Sequence, residues 1–335
     1  MQQSIFQSIH APMQFVCASA QELYYEVLQA ICHAELIPAV KNSNSIGSGW
    51  GTRERPTKEL RYATLVLENP RDRLIDAPMC FLEKIIPRTI LATLSDELDV
   101  SSLEFYDAKA REFSEDGIKL TTNYGYRIQH LNGINQIKQV ITQFKEDPNT
   151  RRAVIHIHSP EDSERKYNPC INSIHFLIRN GALECQTFWR SENALTLLPV
   201  NLFEFTMLQE LIASELEIPV GQYVHSVTSL HCYSDDEQRL QNSLGSLPFC
   251  QKPDVMDPMT DHSMNQITIL RKMEQQLRSN ESAMITKMNE YQQLSNYWQE
   301  IGEVIAYTIA KKNKQTDLAR FLRNNSRWEK LLQIP

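Results

Sequence analysis

The sequence lacks the features of a membrane, secreted or nucleic-acid-binding protein. No apolar run approaches the roughly 18 residues of a membrane span, and the first residues lack the basic start and long apolar run of a secretion signal. The seven cysteines are scattered and form no C-x-x-C pair, so they predict neither a disulfide framework nor a zinc cage. A formal net charge of -7 argues against a basic nucleic-acid surface. We expect a cytoplasmic protein without a metal, membrane or nucleic-acid partner.

The hydrophobic pattern predicts a mixture of helices and strands. With 335 residues, 41% of them hydrophobic, the chain is long enough for one large core or two domains. Apolar residues at helical spacing predict helices over 21–36, 133–144 and 201–216. Alternating or β-branched segments predict strands at 59–70, 153–158, 221–226 and 229–233, and a hairpin that turns at Asn180-Gly181. This mixed order favours an α+β fold over a doubly wound sheet.

The composition changes near residue 252. Leu277, Met284, Tyr291 and Trp298 recur at seven-residue spacing, which predicts a long amphipathic helix or a helix pair over 262–298. Its polar face mixes acidic and basic side chains, so a helical bundle or dimer arm is favoured over a membrane-surface helix. We therefore predict a main domain over 1–250 and a helical C-terminal extension over 251–335.

Cys170 is the leading candidate for a nucleophile. It follows a proline in KYNPCINSIHFLI, at the entry to a predicted strand. A single cysteine in such a place is more often simply buried. However, Arg151-Arg152 follow a helix stop and Arg190-Ser191 follow the next strand. Such arginines are usually solvated, but they can also form a fork for a phosphate dianion. A thiol that faces guanidinium groups is expected to have a lowered pKa and to be nucleophilic.

Three further polar residues have two interpretations each. Asn201, after Leu198-Pro199-Val200, is either a helix N-cap or an amide that binds a base edge through one donor and one acceptor. His231 and Tyr233 alternate on one predicted strand and therefore share a face. They form either a core pair or a hydrogen-bonding pair for sugar hydroxyls.

The order of these segments resembles that of a known superfamily. DPNTRRAVI, NPC, the Asn-Gly hairpin, WRS, LPVN and VGQYVHSVTSLHCY are similar to segments of the thymidylate synthase superfamily, which includes the pyrimidine nucleotide hydroxymethylases. The match runs from about 53 to 236, and TNYGYR at 122–127 resembles the family's tyrosine-glycine segment. The resemblance implies a thymidylate synthase-like mixed β-sheet with packed helices, and makes 1–250 the nucleotide-binding and catalytic domain.

The resemblance implies a mechanism at C5 of a pyrimidine nucleoside monophosphate. The Cys170 thiolate would add to C6 of the ring, and C5 would then attack a one-carbon electrophile, normally the methylene of 5,10-methylenetetrahydrofolate. Tyr124 would lie beside the cysteine and assist proton movement at C5. Asn201 would pair with the O4/N3 edge of a uracil-type base, while His231 and Tyr233 would bind the sugar hydroxyl.

The resemblance also implies a phosphate site shared between two subunits of a homodimer. Arg190 and Ser191 would hold the phosphate from the same subunit. Arg151 and Arg152 would reach the phosphate of the neighbouring subunit, and either Arg53 or Arg55 would add a contact.

Several positions depart from the family pattern. The family's catalytic glutamate aligns with Thr89, its helix tryptophan with Ala92, and the glycine that lets folate approach with Leu197. The other departures are Ile171 after the cysteine, Trp189, Asn193, Val227-Thr228-Ser229, and a segment at 108–117 without tryptophan. Glu83 or Glu97 would substitute for the glutamate in another register; each is otherwise a solvated helix charge.

Three functions follow. The first is methyl or hydroxymethyl transfer to C5 of a pyrimidine nucleoside monophosphate, which is the default of the superfamily. The second is a cysteine-dependent modification of the nucleotide without folate. The third is a nucleotide-binding homologue with impaired catalysis, against which the retained Cys170 argues.

Overall fold

The computed structural model describes residues 13–38, 55–78, 80–259, 263–279 and 285–334. In this part of the chain eight strands form one mixed sheet. They are β1 (Gln14–Cys17), β2 (Glu35–Ile37), β3 (Thr57–Leu67), β4 (Val154–His156), β5 (Ile171–Arg179), β6 (Ala182–Trp189), β7 (Glu192–Asn193) and β8 (Val220–Tyr233). The sheet and the helices that pack on it confirm the predicted α+β class.

The sheet has the order β1-β3-β8-β6-β5-β4, with β2 beside β3 and β7 beside β8. The β1–β3 and β6–β8 pairs are parallel, whereas β3–β8, β5–β6 and β4–β5 are antiparallel. One face carries buried side chains and packs against helices, and the other carries exposed or half-exposed side chains such as His175, Gln222 and Thr228.

The described helices surround the buried face and one end of the sheet. They are α1 (Ala20–Cys32), α2 (Leu82–Arg88), α3 (Val100–Glu104), α4 (Tyr124–His130), α5 (Gln136–Glu146), α6 (Leu198–Glu215), α7 (Glu237–Ser246), α8 (Ser263–Ser279), α9 (Asn289–Gln293), α10 (Asn296–Lys312) and α11 (Thr316–Asn324). No helix of these described ranges has the length and apolar character needed to cross a lipid bilayer. All seven cysteines are thiols.

Helix α6 is the centre of the core. The predicted stripe of apolar residues is buried, but almost every other residue from Leu198 to Ala213 is buried as well. A helix buried on all sides must pair its polar side chains inside the protein. Glu210 pairs with Arg73, and the Gln209 amide donates to the Leu183 carbonyl at 2.8 Å. Glu204 is the third such residue and faces the candidate site.

Four predicted boundaries differ from the structure. Helix α1 ends at Cys32, so Leu36 belongs to β2. Helix α5 starts at Gln136 because Asn135 caps it by accepting from the Lys138 N–H, which leaves Ile134 outside and 46% exposed. The predicted strand at 153–158 is regular only over β4. The two predicted strands at 221–226 and 229–233 are one, β8, which runs without a break through Val227-Thr228-Ser229.

The alternation in β3 is also interrupted. Tyr62 has a φ of 56°, in the left-handed region. The kink reverses the side-chain alternation, so that Ala63, Leu65 and Leu67 are buried after it, while Tyr62 is 62% exposed. The predicted strand at 59–70 is therefore present, but Tyr62 and Leu60 do not share a face of it.

The helix that carries Tyr124 depends on a close backbone approach. A Cβ atom at Gly125 would lie 1.8 Å from the Ser95 carbonyl oxygen. A side chain there would push α4 away from the π-helical turn Thr89–Leu94. Gly125 thus permits the contact that sets Tyr124 against the wall of the site.

The C-terminal helices pack on the main sheet domain. Helix α10 lies against α2, where the Lys311 ammonium meets the buried Glu83 carboxylate at 3.1 Å. The Arg271 guanidinium pairs with Asp96 at 2.7 Å. The predicted long helix or helix pair over 262–298 corresponds to α8, α9 and the start of α10; Met284 of the predicted repeat lies outside the described residues. The domain boundary at 250 stays a prediction.

Candidate active site

Cys170 lies at the start of β5 on a loop held by Arg190. The Cys170 carbonyl accepts from the Arg190 N–H at 2.9 Å, and the Arg190 side chain donates to the carbonyls of Pro169 and Asn168 at 2.9 and 3.1 Å. A guanidinium nitrogen of Arg190 is 3.8 Å from the Cys170 sulfur. The predicted proximity of thiol and arginine is therefore present within one protomer.

The expected lowering of the thiol pKa is not found. Burial raises the pKa of Cys170 above its ordinary value, and the nearby Glu192 carboxylate adds to the rise. Arg190 and Arg88 act in the opposite direction but do not outweigh burial. The guanidinium groups thus offset part of the cost of burying the thiolate, but Cys170 remains a protonated thiol in the free protein.

Three aromatic rings cluster near the start of β5, beside the end of β6. The ring of Tyr124 lies 6.1 Å from Trp189 and 5.7 Å from Phe205, measured between centroids. Burial raises the pKa of Tyr124, and Cys170 is the next largest contributor to that rise. Tyr124 is therefore a neutral phenol that senses the charge of Cys170; its role in proton movement stays a prediction. The buried Trp189 Nε1 has no hydrogen-bond partner among the described residues.

The site also contains a charged pair that the sequence analysis missed. Arg88, at the end of α2, donates from Nε to Glu204 Oε1 at 2.9 Å. Burial raises the pKa of Glu204 while Arg88 opposes the rise. Burial works against the charge on Arg88, but Glu204 outweighs it and raises the pKa of the guanidinium. The Arg88 side chain retains 36% exposure, whereas Glu204 has none.

No local sequence motif marked Arg88 or Glu204 as a site residue. The family's glutamate was aligned with Thr89, yet Thr89 is fully buried and donates its hydroxyl to the Ile85 carbonyl at 2.8 Å. Arg88, one position earlier, is the residue whose charge reaches Cys170. Its partner lies 116 positions later, on α6.

Glu83 and Glu97 do not replace the glutamate. Glu83 is 4% exposed and pairs with Lys311 of α10, so the expectation of a solvated charge is also wrong for it. Glu97 accepts from the Leu98 and Asp99 N–H groups and pairs with Arg271 at 3.0 Å. Both carboxylates are committed to structural contacts.

Asn201 lies in the first turn of α6 and is not its N-cap, which is Leu197. Its amide nitrogen donates to Glu192 Oε1 at 2.6 Å, while its buried Oδ1 has no partner among the described residues. Glu192 also contacts Nε2 of the buried His225. Asn201 can therefore offer an acceptor to a ligand.

His231 and Tyr233 share one face of β8, while their binding of a sugar hydroxyl stays a prediction. The rings of His231 and Tyr233 are 5.1 Å apart, and burial lowers the pKa of His231. The Arg55 guanidinium lies 3.8 Å from the Tyr233 ring centroid and donates from Nε to Asp235 at 2.9 Å. Arg55 is thus anchored at this edge, whereas Arg53 lies outside the described residues. Ser191 is half-buried beside Arg190.

Arg151 and Arg152 lie away from the thiol of their own protomer. The Ala153 carbonyl accepts from Phe176, six residues beyond Cys170 along β5, which corresponds to about 20 Å of strand. Both arginines are exposed, and neither pairs with an acidic group of the described ranges. Arg152 borders an open depression of about 430 Å³ that is also lined by His156 and His158. One protomer does not bring all the predicted arginines together.

The residues at the expected folate contacts have a different chemistry. Leu197, in place of a glycine, is half-buried at the start of α6. Asn193 Oδ1 is occupied by the Leu195 and Thr196 N–H groups, each at 3.0 Å. Phe113, the aromatic residue of the segment at 108–117, is 46% exposed and pairs with Tyr167. These residues do not fit a pteridine platform of the family type.

Sequence comparison identifies the architecture. The sequence model of the family described as thymidylate synthase matches residues 80–300. The chain is 29% identical over 126 residues to thymidylate synthase of Mycoplasma pneumoniae, which is 37% of this chain and 44% of the relative. It is 28% identical over 134 residues to thymidylate synthase of Mycoplasma genitalium, which is 40% of this chain and 47% of the relative. The match therefore spans less than half the length of these relatives. Since the family model covers well over half of the chain, the protein belongs to the thymidylate synthase family.

Proposed function

We propose that the protein transfers a one-carbon group, methyl or hydroxymethyl, to C5 of a pyrimidine nucleoside monophosphate. The observation that carries the proposal is the Cys170 sulfur, 3.8 Å from the Arg190 guanidinium on a loop that Arg190 also anchors. The two relatives are named thymidylate synthase, which is consistent with the same reaction class.

The proposed chemistry begins with nucleophilic addition. The Cys170 thiolate bonds to C6, and the C5–C6 electron pair moves towards the C4 carbonyl, so that C5 becomes nucleophilic. C5 then attacks a one-carbon electrophile and loses its proton. The bond from the transferred carbon to its donor must then break, and that carbon must gain a hydride for a methyl product or a water for a hydroxymethyl product; a reduced folate donor, where bound, would supply the hydride. Departure of the Cys170 thiolate as the hydride or water adds restores the C5–C6 double bond. Tyr124, a neutral phenol whose pKa the charge of Cys170 raises, is the proposed relay for the C5 proton.

Arg88 and Glu204 are proposed to take over the role of the family's glutamate. Negative charge develops on the C4 carbonyl during addition, and a preorganised guanidinium stabilises such charge in a partly dry site. Glu204 fixes Arg88 through the 2.9 Å bond and keeps a carboxylate near Tyr124, whose pKa it raises. The site thus retains a cation and a carboxylate, although their positions on the helices differ from the family pattern.

A homodimer with shared sites completes the proposal. The second sheet face combines exposed polar side chains with half-buried apolar ones such as Val224 and Phe188, as a subunit interface would. Arg151 and Arg152 are exposed, lie just before the edge strand β4, and are about 20 Å along the strand from their own Cys170. In a two-fold dimer they would reach the phosphate bound next to the partner's thiol.

Release of tritium from C5 tests the proposed function. Nucleotides tritiated at C5 (UMP, dUMP, CMP and dCMP) are incubated with and without 5,10-methylenetetrahydrofolate. We expect release from one of them, loss of release in Cys170→Ser, and nearly unchanged nucleotide affinity in that variant.

The same assay separates the alternatives. Release that needs no folate indicates cysteine-dependent modification without this donor, which the poor fit of Leu197 and Asn193 favours. Binding without release from any nucleotide indicates an impaired homologue. Normal turnover by Cys170→Ser would contradict the mechanism.

A further inference from the structure

Asn201 ends a buried chain of hydrogen-bonded side chains that starts inside the sheet. The Tyr223 hydroxyl lies 2.9 Å from both Thr187 Oγ1 and His225 Nδ1. The opposite nitrogen of the imidazole contacts Glu192 Oε2, and Glu192 Oε1 accepts from the Asn201 amide at 2.6 Å. None of the five residues is more than 2% exposed.

This chain fixes which end of the Asn201 amide faces a ligand. A carboxylate only accepts hydrogen bonds, so the amide group turned towards Glu192 must be the NH₂. Oδ1 is the buried atom left without a partner in the described structure. The imidazole is held in turn, because the Trp189 ring stacks on it at 5.0 Å with an interplanar angle of 27°. Rotation of the amide by 180° would break the bond to Glu192.

The orientation matters because the two pyrimidine bases present opposite patterns. Uracil offers an acceptor at O4 beside a donor at N3, whereas cytosine offers a donor at N4 beside an acceptor at N3. An amide that can rotate matches either edge. An amide locked in one orientation matches one of them and leaves a buried polar atom unpaired against the other.

We propose that Glu192 and His225 are positioning residues that set the base selectivity of this site by locking the Asn201 amide. The ligand is a pyrimidine nucleoside monophosphate whose base directs an N–H donor at Asn201 Oδ1. Uracil supplies that donor from N3 and cytosine from its amino group, at different places on the ring. The inference rests on the proposed function, since it assumes that Asn201 faces the base.

Equilibrium titration with matched uracil and cytosine nucleotides, dUMP with dCMP and UMP with CMP, tests the lock. We expect the wild-type protein to prefer one base by about 10- to 100-fold, the range of one good bidentate contact. In Glu192→Gln the preference should fall to within about threefold, because a glutamine can donate as well as accept and lets the amide rotate. Glu274→Gln is the matched control: Glu274 is equally buried, but bonds to Tyr106 and Arg278 away from Asn201.

Two substitutions of His225 provide an independent measurement. His225→Phe keeps a ring under Trp189 but removes the donor to Glu192, whereas His225→Gln keeps a donor. We expect the base preference to collapse in the phenylalanine variant and to persist in the glutamine variant. A merely structural role would lower the affinity for both nucleotides by the same factor and leave their ratio unchanged.

The outcomes distinguish this inference from the proposed function. A wild-type preference that survives in both Glu192→Gln and His225→Phe overturns the lock while leaving nucleotide binding intact. A wild-type protein that binds both bases equally also overturns it. A wild-type protein that binds none of dUMP, dCMP, UMP and CMP contradicts the proposed function itself, and the inference with it.

Discussion

Replacing Arg190 should slow the reaction of Cys170 with a thiol reagent. The guanidinium nitrogen is 3.8 Å from the sulfur. Two unit charges at that distance interact by about 4 kcal/mol at an effective dielectric constant of 20 and by about 1 kcal/mol in bulk water. Arg190 is exposed, so the value near the lower limit applies, about 1–1.5 kcal/mol. Since 1.4 kcal/mol corresponds to a factor of ten, alkylation near neutral pH should slow about tenfold in Arg190→Gln.

Alkylation by iodoacetamide, followed by peptide mass analysis, measures this effect without a substrate. The mass analysis is needed because Cys32 and Cys250 are also partly accessible. We expect the pH profile of Cys170 alkylation to move to higher pH in Arg190→Gln, because the thiolate has lost a stabilising charge. At sufficiently high pH the two proteins should converge. Arg190→Lys keeps the charge and should retain most of the reactivity, although it loses the paired contacts to the loop.

Arg320→Gln serves as the control, since Arg320 is comparably exposed but lies on α11. An unchanged or faster alkylation of Cys170 in Arg190→Gln would refute the electrostatic argument. Equal losses in the glutamine and lysine variants would show that Arg190 acts through the loop and not through its charge.

Two further predictions concern the dimer and the buried carboxylate. Cys170→Ser and Arg152→Ala homodimers should both be inactive, but an equal mixture that exchanges subunits should regain up to about a quarter of wild-type tritium release. Random exchange makes half of the dimers hybrids, and each hybrid has one intact site out of two. No recovery in exchanged mixtures would contradict a shared site. Glu204→Gln should slow release about 10²- to 10⁴-fold, the usual contribution of a proton-transfer group. Because burial raises the pKa of Glu204, the wild-type rate should increase with pH as this group ionises. That increase should be missing from the pH profile of Glu204→Gln. A Glu204→Gln profile of the same shape as the wild type would exclude Glu204 from proton transfer.

Local sequence patterns predicted the elements whose causes are local. Asn180 and Gly181 both adopt positive φ, at 51° and 75°, as the Asn-Gly turn between β5 and β6 requires. The apolar spacing of α6 and the helix stop after α5 were likewise visible in the sequence. The left-handed kink at Tyr62 was not, because a tyrosine carries no preference for that conformation.

The site was predictable where its residues form short motifs and not where it depends on pairs from distant segments. Cys170 and Arg190 are brought together by one hairpin, so their proximity followed from the predicted strands. Arg88 and Glu204 meet only because α2 packs on α6. The thiol pKa could not be predicted either, because its sign depends on burial, which outweighs the visible arginines.

The contact between α10 and α2 means that the C-terminal helices help to hold Arg88, at the end of α2, in place near Cys170. The Thr308 hydroxyl, which donates to the Val304 carbonyl at 2.7 Å, also lies 3.1 Å from the Glu83 carbonyl oxygen. Lys311 neutralises the Glu83 side chain, on the same helix that ends at Arg88. A protein shortened before residue 296 would lack Lys311 and leave the buried Glu83 carboxylate without its cation. It would also lack the packing of α10 on α2, the helix that carries Arg88. Deletions intended only to trim the C-terminal helices should therefore alter turnover as well as thermal stability.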